Sequence, residues 1–150
     1  MGSFCLMTTS FTFLPDIAIA DVAFEAHGKN VDELFEAAAE AVFETMVDTS
    51  TVEKKMERKI SVTADTLERL LYDFLSEIVF LKDTDSMVFC TAKVHVKENK
   101  KTFALEATLT GDSIHPETQA LGNDVKAITM HMFEVKKDKG ACTARVVIDI

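Results

Sequence analysis

Residues 18–46 read AIADVAFEAHGKNVDELFEAAAEAVFETM, and a change of period inside this stretch decides the fold class. From Ala18 to Ala26, Ala20, Val22, Phe24 and Ala26 share one face, while Asp21, Ala23 and Glu25 share the other. A period of two belongs to a half-buried strand. HGKN, residues 27–30, is turn chemistry. Asn30 then supplies an N-cap, with Glu33 completing a capping box. From there Val31, Leu34, Phe35, Ala38, Val42 and Met46 recur at helical spacing, with Glu36, Glu40 and Glu44 on the outer side. The helix should stop near VDTST, where Asp48 to Thr51 favour a turn.

The same two periods recur downstream. KISVT, residues 59–63, alternates as a short strand, and Asp65 with Glu68 repeats the capping signal. Leu67, Leu70, Leu71, Phe74, Leu75, Ile78 and Leu81 give a second helix a broad apolar face. Residues 87–97 and 102–110 read as a hairpin around ENKK. Residues 125–136 and 141–150 read as another around KDKG, where Gly140 can take a positive φ. A long polar loop, GDSIHPETQALGND, joins the hairpins, and loops of that size often carry function. Residues 1–10 read as a flexible leader, and 11–150 as one domain. The expected architecture is α+β, a single domain with two helices packed on one face of a mainly antiparallel β-sheet.

Composition narrows the function classes. The chain has 150 residues, enough for one proper core, and 47% of them are hydrophobic. No apolar run approaches the ~20 residues of a membrane span. The opening MGSFCLMTTS lacks the basic and apolar regions of a secretory signal. The three cysteines, Cys5, Cys90 and Cys142, are odd in number and widely spaced, which predicts a protein of the reducing cytoplasm. A formal net charge of −9 argues against an autonomous grip on phosphate backbones and favours cations or a basic protein partner. Phosphate-cradling glycine loops, a nucleophile elbow and zinc spacing among His27, His95, His115 and His131 are all missing. Cys90 sits in an apolar strand, the setting of an inert buried thiol.

The carboxylates are more informative. Asp21 lies opposite the apolar face of its strand. In CTARVVIDI, Ala144, Val146, Ile148 and Ile150 form one face, and Asp149 shares the other with Arg145 and Val147. If the two strands are neighbours, Asp21 and Asp149 converge. Two carboxylates, the terminal carboxylate and a free main-chain carbonyl would be hard oxygen ligands, suited to Ca²⁺, Mg²⁺ or Mn²⁺. The alternative is that both are solvated charges at strand ends.

At this point the residues resemble a known family. HGKNVDELFEAAAEAVFETMVDTSTVE is similar to a block of the archease family. LERLLYDFLSEIVF looks like that family's second helix, HPETQALGNDVKAITMHMFEV like its His-loop-VKAIT segment, and VVIDI like its chain end. The resemblance runs from about Phe11 to Ile150. It implies a small accessory protein, not itself an enzyme, that activates an RtcB-type RNA ligase. It would promote ligase guanylylation and multiple turnover during tRNA splicing or RNA repair. It also implies a divalent cation, Ca²⁺ first, with Mg²⁺ or Mn²⁺ as substitutes, held by Asp21, Asp149 and main-chain oxygen of Ile150. Lys126, in VKAIT, and Asp48, in the acidic turn, correspond to residues concerned with ligase activation. No stable nucleic-acid contact and no membrane are implied. The family usually reads HTAD before its strand. Here Ala18 and Ile19 stand where His and Thr are expected, with Asp16 nearby. Two other readings remain: a metal-dependent enzyme acting on phosphate esters or nucleotides, and a chaperone-like protein-binding module.

Overall fold

The computed structural model describes residues 10–14 and 21–150. Its strands are β1 (Ser10–Phe13), β2 (Asp21–Gly28), β3 (Met56–Ala64), β4 (Met87–Glu98), β5 (Phe103–Ser113), β6 (Ala127–Asp138) and β7 (Ala141–Asp149). The helices are α1 (Val31–Met46) and α2 (Leu67–Asp85), with a 3-10 turn at Thr49–Thr51. Ser10, assigned to the leader from sequence, is the first residue of β1. Residues 1–9 lie outside the described residues, as do Asp16, Ala18 and Ile19.

The α+β class is as expected, and every pairing between these strands is antiparallel. The strands divide, however, into two sheets. One has the order β1-β2-β7-β6 and the other β3-β5-β4. The helices pack between them. α1 touches β2, β4 and β7, while α2 touches β3 and β6. Two sheets bury both helices more completely than one could, and α1 shows it: Ala37, Ala38, Ala39 and Ala41 have no exposed surface. Small side chains let strands approach this helix from several sides.

Aromatic contacts tie the layers. Phe35 of α1 stacks on Phe74 of α2, with centroids 6.2 Å apart and planes at 17°. Phe43 meets Phe89 of β4 at 5.8 Å, and Tyr72 meets Phe133 of β6 edge-on at 5.9 Å. Phe24 and Val146, cross-strand partners in β2 and β7, are both fully buried.

Local signals hold at the first helix. The Glu33 N–H donates to Asn30 Oδ1 at 2.9 Å, and the Glu33 carboxylate accepts from the Lys29 N–H at 2.9 Å. At α2 the cap is Thr66 rather than Asp65. Its Oγ accepts the Arg69 N–H at 3.1 Å, from an extended backbone conformation. The capping geometry needs an oxygen three residues before the donor, and Thr66 satisfies it one position later.

The acidic side of α1 also differs from expectation. Asp32 Oδ1 accepts the Val96 N–H at 2.8 Å, and Glu36 Oε2 accepts the Val94 N–H at 2.9 Å. These carboxylates occupy the free edge of β4, satisfying donors that an edge strand would otherwise leave open. At the other margin of β4 a bulge falls between Phe89 and Thr91. Gly111 sits against it, and a Cβ there would lie 2.0 Å from the Val88 carbonyl oxygen, so the close approach requires glycine. Among the described residues, no helix is long and apolar enough to cross a membrane.

Candidate cation site at the β2–β7 strand ends

Asp21 opens β2 and Asp149 closes β7, and the antiparallel register makes them direct partners. Direct partners project from the same face of a sheet with Cβ atoms about 4.5–5.5 Å apart. Both residues are half-buried. Neither carboxylate has an ion-pair partner among the described residues. Like charges so placed repel, and a hard cation would relieve that repulsion. The donor set therefore fits a Ca²⁺-type ion. Two side chains are nevertheless few against the ~6–8 oxygens such an ion takes. Among the described residues no group of three or more His, Cys, Asp or Glu side chains is placed to hold a metal. Main-chain oxygen of Ile150 and water would have to complete the shell.

β6 lies on the other side of β7. Ala127 pairs with Asp149, and the Lys126 N–H donates to the Asp149 carbonyl at 2.8 Å. Lys126 thus stands beside the two aspartates through its backbone. Its side chain is exposed and lines a groove of about 240 Å³ with Tyr72, Phe80, Asp83 and Ile128. The outer face of β7 is less open than alternation suggests, because Val147, which shares it with Asp149, is fully buried beside Ala23.

The segment before β6 is fastened to both helices. The Gly122 and Asn123 N–H groups donate to the Met46 and Thr45 carbonyls at 2.7 and 2.9 Å, at the end of α1. From α2, Lys82 Nζ reaches Asp124 Oδ1 at 2.7 Å and the Val125 carbonyl at 2.9 Å. Asn123 and Glu44 also line a cavity of about 370 Å³ with Asp21, Phe13 and Leu14. Neither Asn123 nor Lys82 stands out in the sequence. No local spacing marks them, because their partners are distant in the chain.

Asp48 takes a different place. Its Oδ1 accepts the Ser50 N–H at 3.0 Å and the Ser50 hydroxyl at 2.7 Å, capping the 3-10 turn. Those bonds hold its carboxyl below the ordinary carboxylate range. It faces a cavity of about 460 Å³ with Phe11, Glu40, Glu44 and Cys90, next to the one lined by Asp21, with Glu44 bordering both. Cys90 Sγ lies 3.4 Å from the Thr110 carbonyl, and burial pushes its thiol pKa up, consistent with a resting thiol.

Glu40 is half-buried on the acidic stripe. Burial first, and then the charges of Glu36 and Glu44, raise its pKa above the ordinary 4.5. The folded chain therefore holds this proton more tightly than the unfolded chain. Stability falls as pH rises from about 4.5 through the raised value. Glu40→Gln should move the urea midpoint upward at pH 7, with the advantage closing below pH 4.5. A midpoint unchanged or lowered at pH 7 would contradict this account.

Residues 11–150 match the model of the Archease protein family (MTH1598/TM1083). The protein archease of Methanothermobacter thermautotrophicus is 40% identical over 131 residues, covering 87% of this chain and 93% of that one. The protein archease of Methanosarcina mazei is 36% identical over 132 residues, covering 87% and 90%. The solution structure of Methanobacterium thermoautotrophicum protein 1598 superposes with a TM-score of 0.80 at 37% identity, over 95% of this chain and 99% of that one. The crystal structure of an archease and possible chaperone from Thermotoga maritima shares the fold, with a TM-score of 0.57 at 18% identity over 91% and 96%. A family match across nearly the whole chain, joined to relatives at this identity, shows that the chain belongs to the archease family.

Proposed function

We propose that this chain is an accessory protein of the cytoplasm that activates an RtcB-type RNA ligase, promoting its guanylylation and repeated turnover in tRNA exon joining or RNA repair. The observation that carries the reading is the Asp21–Asp149 pairing, two carboxylates with no ion-pair partner among the described residues, with the Lys126 N–H bonded alongside. Asp21, Asp149 and main-chain oxygen of Ile150 would hold the cation, Ca²⁺ first. When bound, the ion supplies a positive centre that neutralises both carboxylates and can attract a phosphate or a partner carboxylate.

The surroundings suit a docking face. Phe13 is 41% exposed beside Asp21, Phe80 is 56% exposed beside Lys126, and Leu121 is 44% exposed beside Asn123 and Asp124. Large exposed apolar side chains around a charged centre are the pattern of a protein-contact surface. Lys126 would then meet an acidic or phosphate group of the ligase complex, while Asp48 acts by shaping the turn behind the docking segment. The same exposed side chains favour a second reading, a general chaperone.

The test is formation of the ligase–GMP adduct by a cognate ligase with GTP and Mn²⁺, with and without this chain. Faster adduct formation and more than one ligation per ligase are expected. Equal rates sink the proposal, and capture of many unrelated clients without a ligase among them favours the chaperone.

A further inference from the structure

We propose that Lys82, at the end of α2, is a positioning residue for the corner formed by Lys126 and Asp149. The proposal rests on the reading of that corner as functional. Lys82 stands in the last turn of α2, and its side chain is only 11% exposed. Its ammonium has three donors. Two of them find hydrogen-bond acceptors, Asp124 Oδ1 at 2.7 Å and the Val125 carbonyl at 2.9 Å, and Asp83 Oδ1 lies at ion-pair distance, 2.8 Å. Burial disfavours the charge, but the bonds to Asp124 and Asp83 outweigh it and hold the lysine above its ordinary pKa.

Both aspartates are largely exposed, and exposed ion pairs alone do little. The bond to Val125 is different in kind. Val125 is fully buried, and the next N–H along the chain, that of Lys126, donates to the Asp149 carbonyl. Lys82 therefore grips one side of a peptide unit whose other side grips the strand end beside Asp21.

The ladder makes such a grip necessary. β6 pairs with β7 at Ala127, Ile128 and Thr129, then loses register until Glu134. Within the break, Met132 takes a positive φ of 57°. Three paired residues isolated by a bulge are a weak hold on a strand end. Lys82 and the bonds to α1 secure that piece from the other end.

The experiment uses the full chain with Lys82→Met and Lys82→Arg. Residue-resolved amide hydrogen exchange reports the corner, and calorimetric titration with Ca²⁺ reports the ion. In Lys82→Met the Lys126 amide should exchange on the order of 10-fold faster, while Phe24 and Val146 keep their protection. Ca²⁺ binding should weaken by ~10-fold, as when a metal site loses a supporting outer contact. Lys82→Arg, which keeps charge and donors, should restore most of both. Unchanged Lys126 protection in Lys82→Met overturns the proposal, and so does faster exchange spread evenly over both sheets. Undiminished Ca²⁺ affinity, where the parent chain binds the ion, overturns it as well. If the parent chain binds no Ca²⁺ while Lys126 alone loses protection in Lys82→Met, the positioning role stands and the cation reading falls.

Discussion

Asn in place of either Asp21 or Asp149 should abolish cation binding and ligase stimulation while leaving the fold intact. Each substitution removes half of the side-chain charge available at the strand ends. The loss of affinity should exceed the ~10–100-fold that removal of an outer-shell partner costs. Without the ion, the effect on stability has the opposite sign. Like charges directly opposite in an antiparallel pair repel, on a scale of about 0.2–1 kcal/mol. Asp149→Asn should therefore melt at the same temperature as the parent or slightly above it. Saturating Ca²⁺ distinguishes the two chains. At 100 times its Kd, a ligand binding only the folded state stabilises by ~2.7 kcal/mol. The parent should gain that shift and both variants should not. A Ca²⁺-induced shift in melting that survives in both variants would place the ion elsewhere. Stimulation that survives in both would separate activation from the cation altogether. The Asp149 carbonyl, which accepts from Lys126, is preserved in Asp149→Asn, so lost function could not be ascribed to a broken ladder.

Phe74→Ala should have the largest effect on stability. Phe74 is fully buried and stacks on Phe35, joining the two helices. Truncating a phenylalanine in such a site costs about 3–5 kcal/mol, because transfer energy is lost and a cavity remains. A domain has only about 5–15 kcal/mol in total. Much of the margin would be gone, and the urea midpoint should fall accordingly. Phe80→Ala, on the same helix but 56% exposed, is the control and should stay within about 0.5 kcal/mol of the parent. Equal costs for the two substitutions would mean that α2 presents a different face to the core.

Both expectations combine what is local with what is not. The cap at Asn30, the helix from Val31 and the two hairpins depend on residues a few positions apart, and they were legible as a pattern. Even there Thr66 displaced Asp65, because adjacent oxygens compete for one capping geometry. Glu36 read as solvated from its place on the helical wheel. Only the arrival of β4, far along the chain, turned it into an acceptor for Val94. β1 escaped the pattern because four residues show too little alternation to register.

The candidate site divides along the same line. Alternation by itself placed Asp21 and Asp149 on the faces opposite the core, since side chains on a strand point to opposite sides in turn. Family resemblance marked Lys126 and Asp48 as well. Tertiary structure alone decided that β2 and β7 are neighbours in the register that sets the two aspartates opposite. It alone decided that Asp48 caps a turn facing another cavity, and that Lys82 holds the segment ahead of Lys126. The physical reason is range. Periodicity and capping are settled within a turn or two of backbone. Strand partnership, the split into two sheets and the grip of Lys82 depend on which distant surfaces bury each other, and no short stretch of sequence contains that choice.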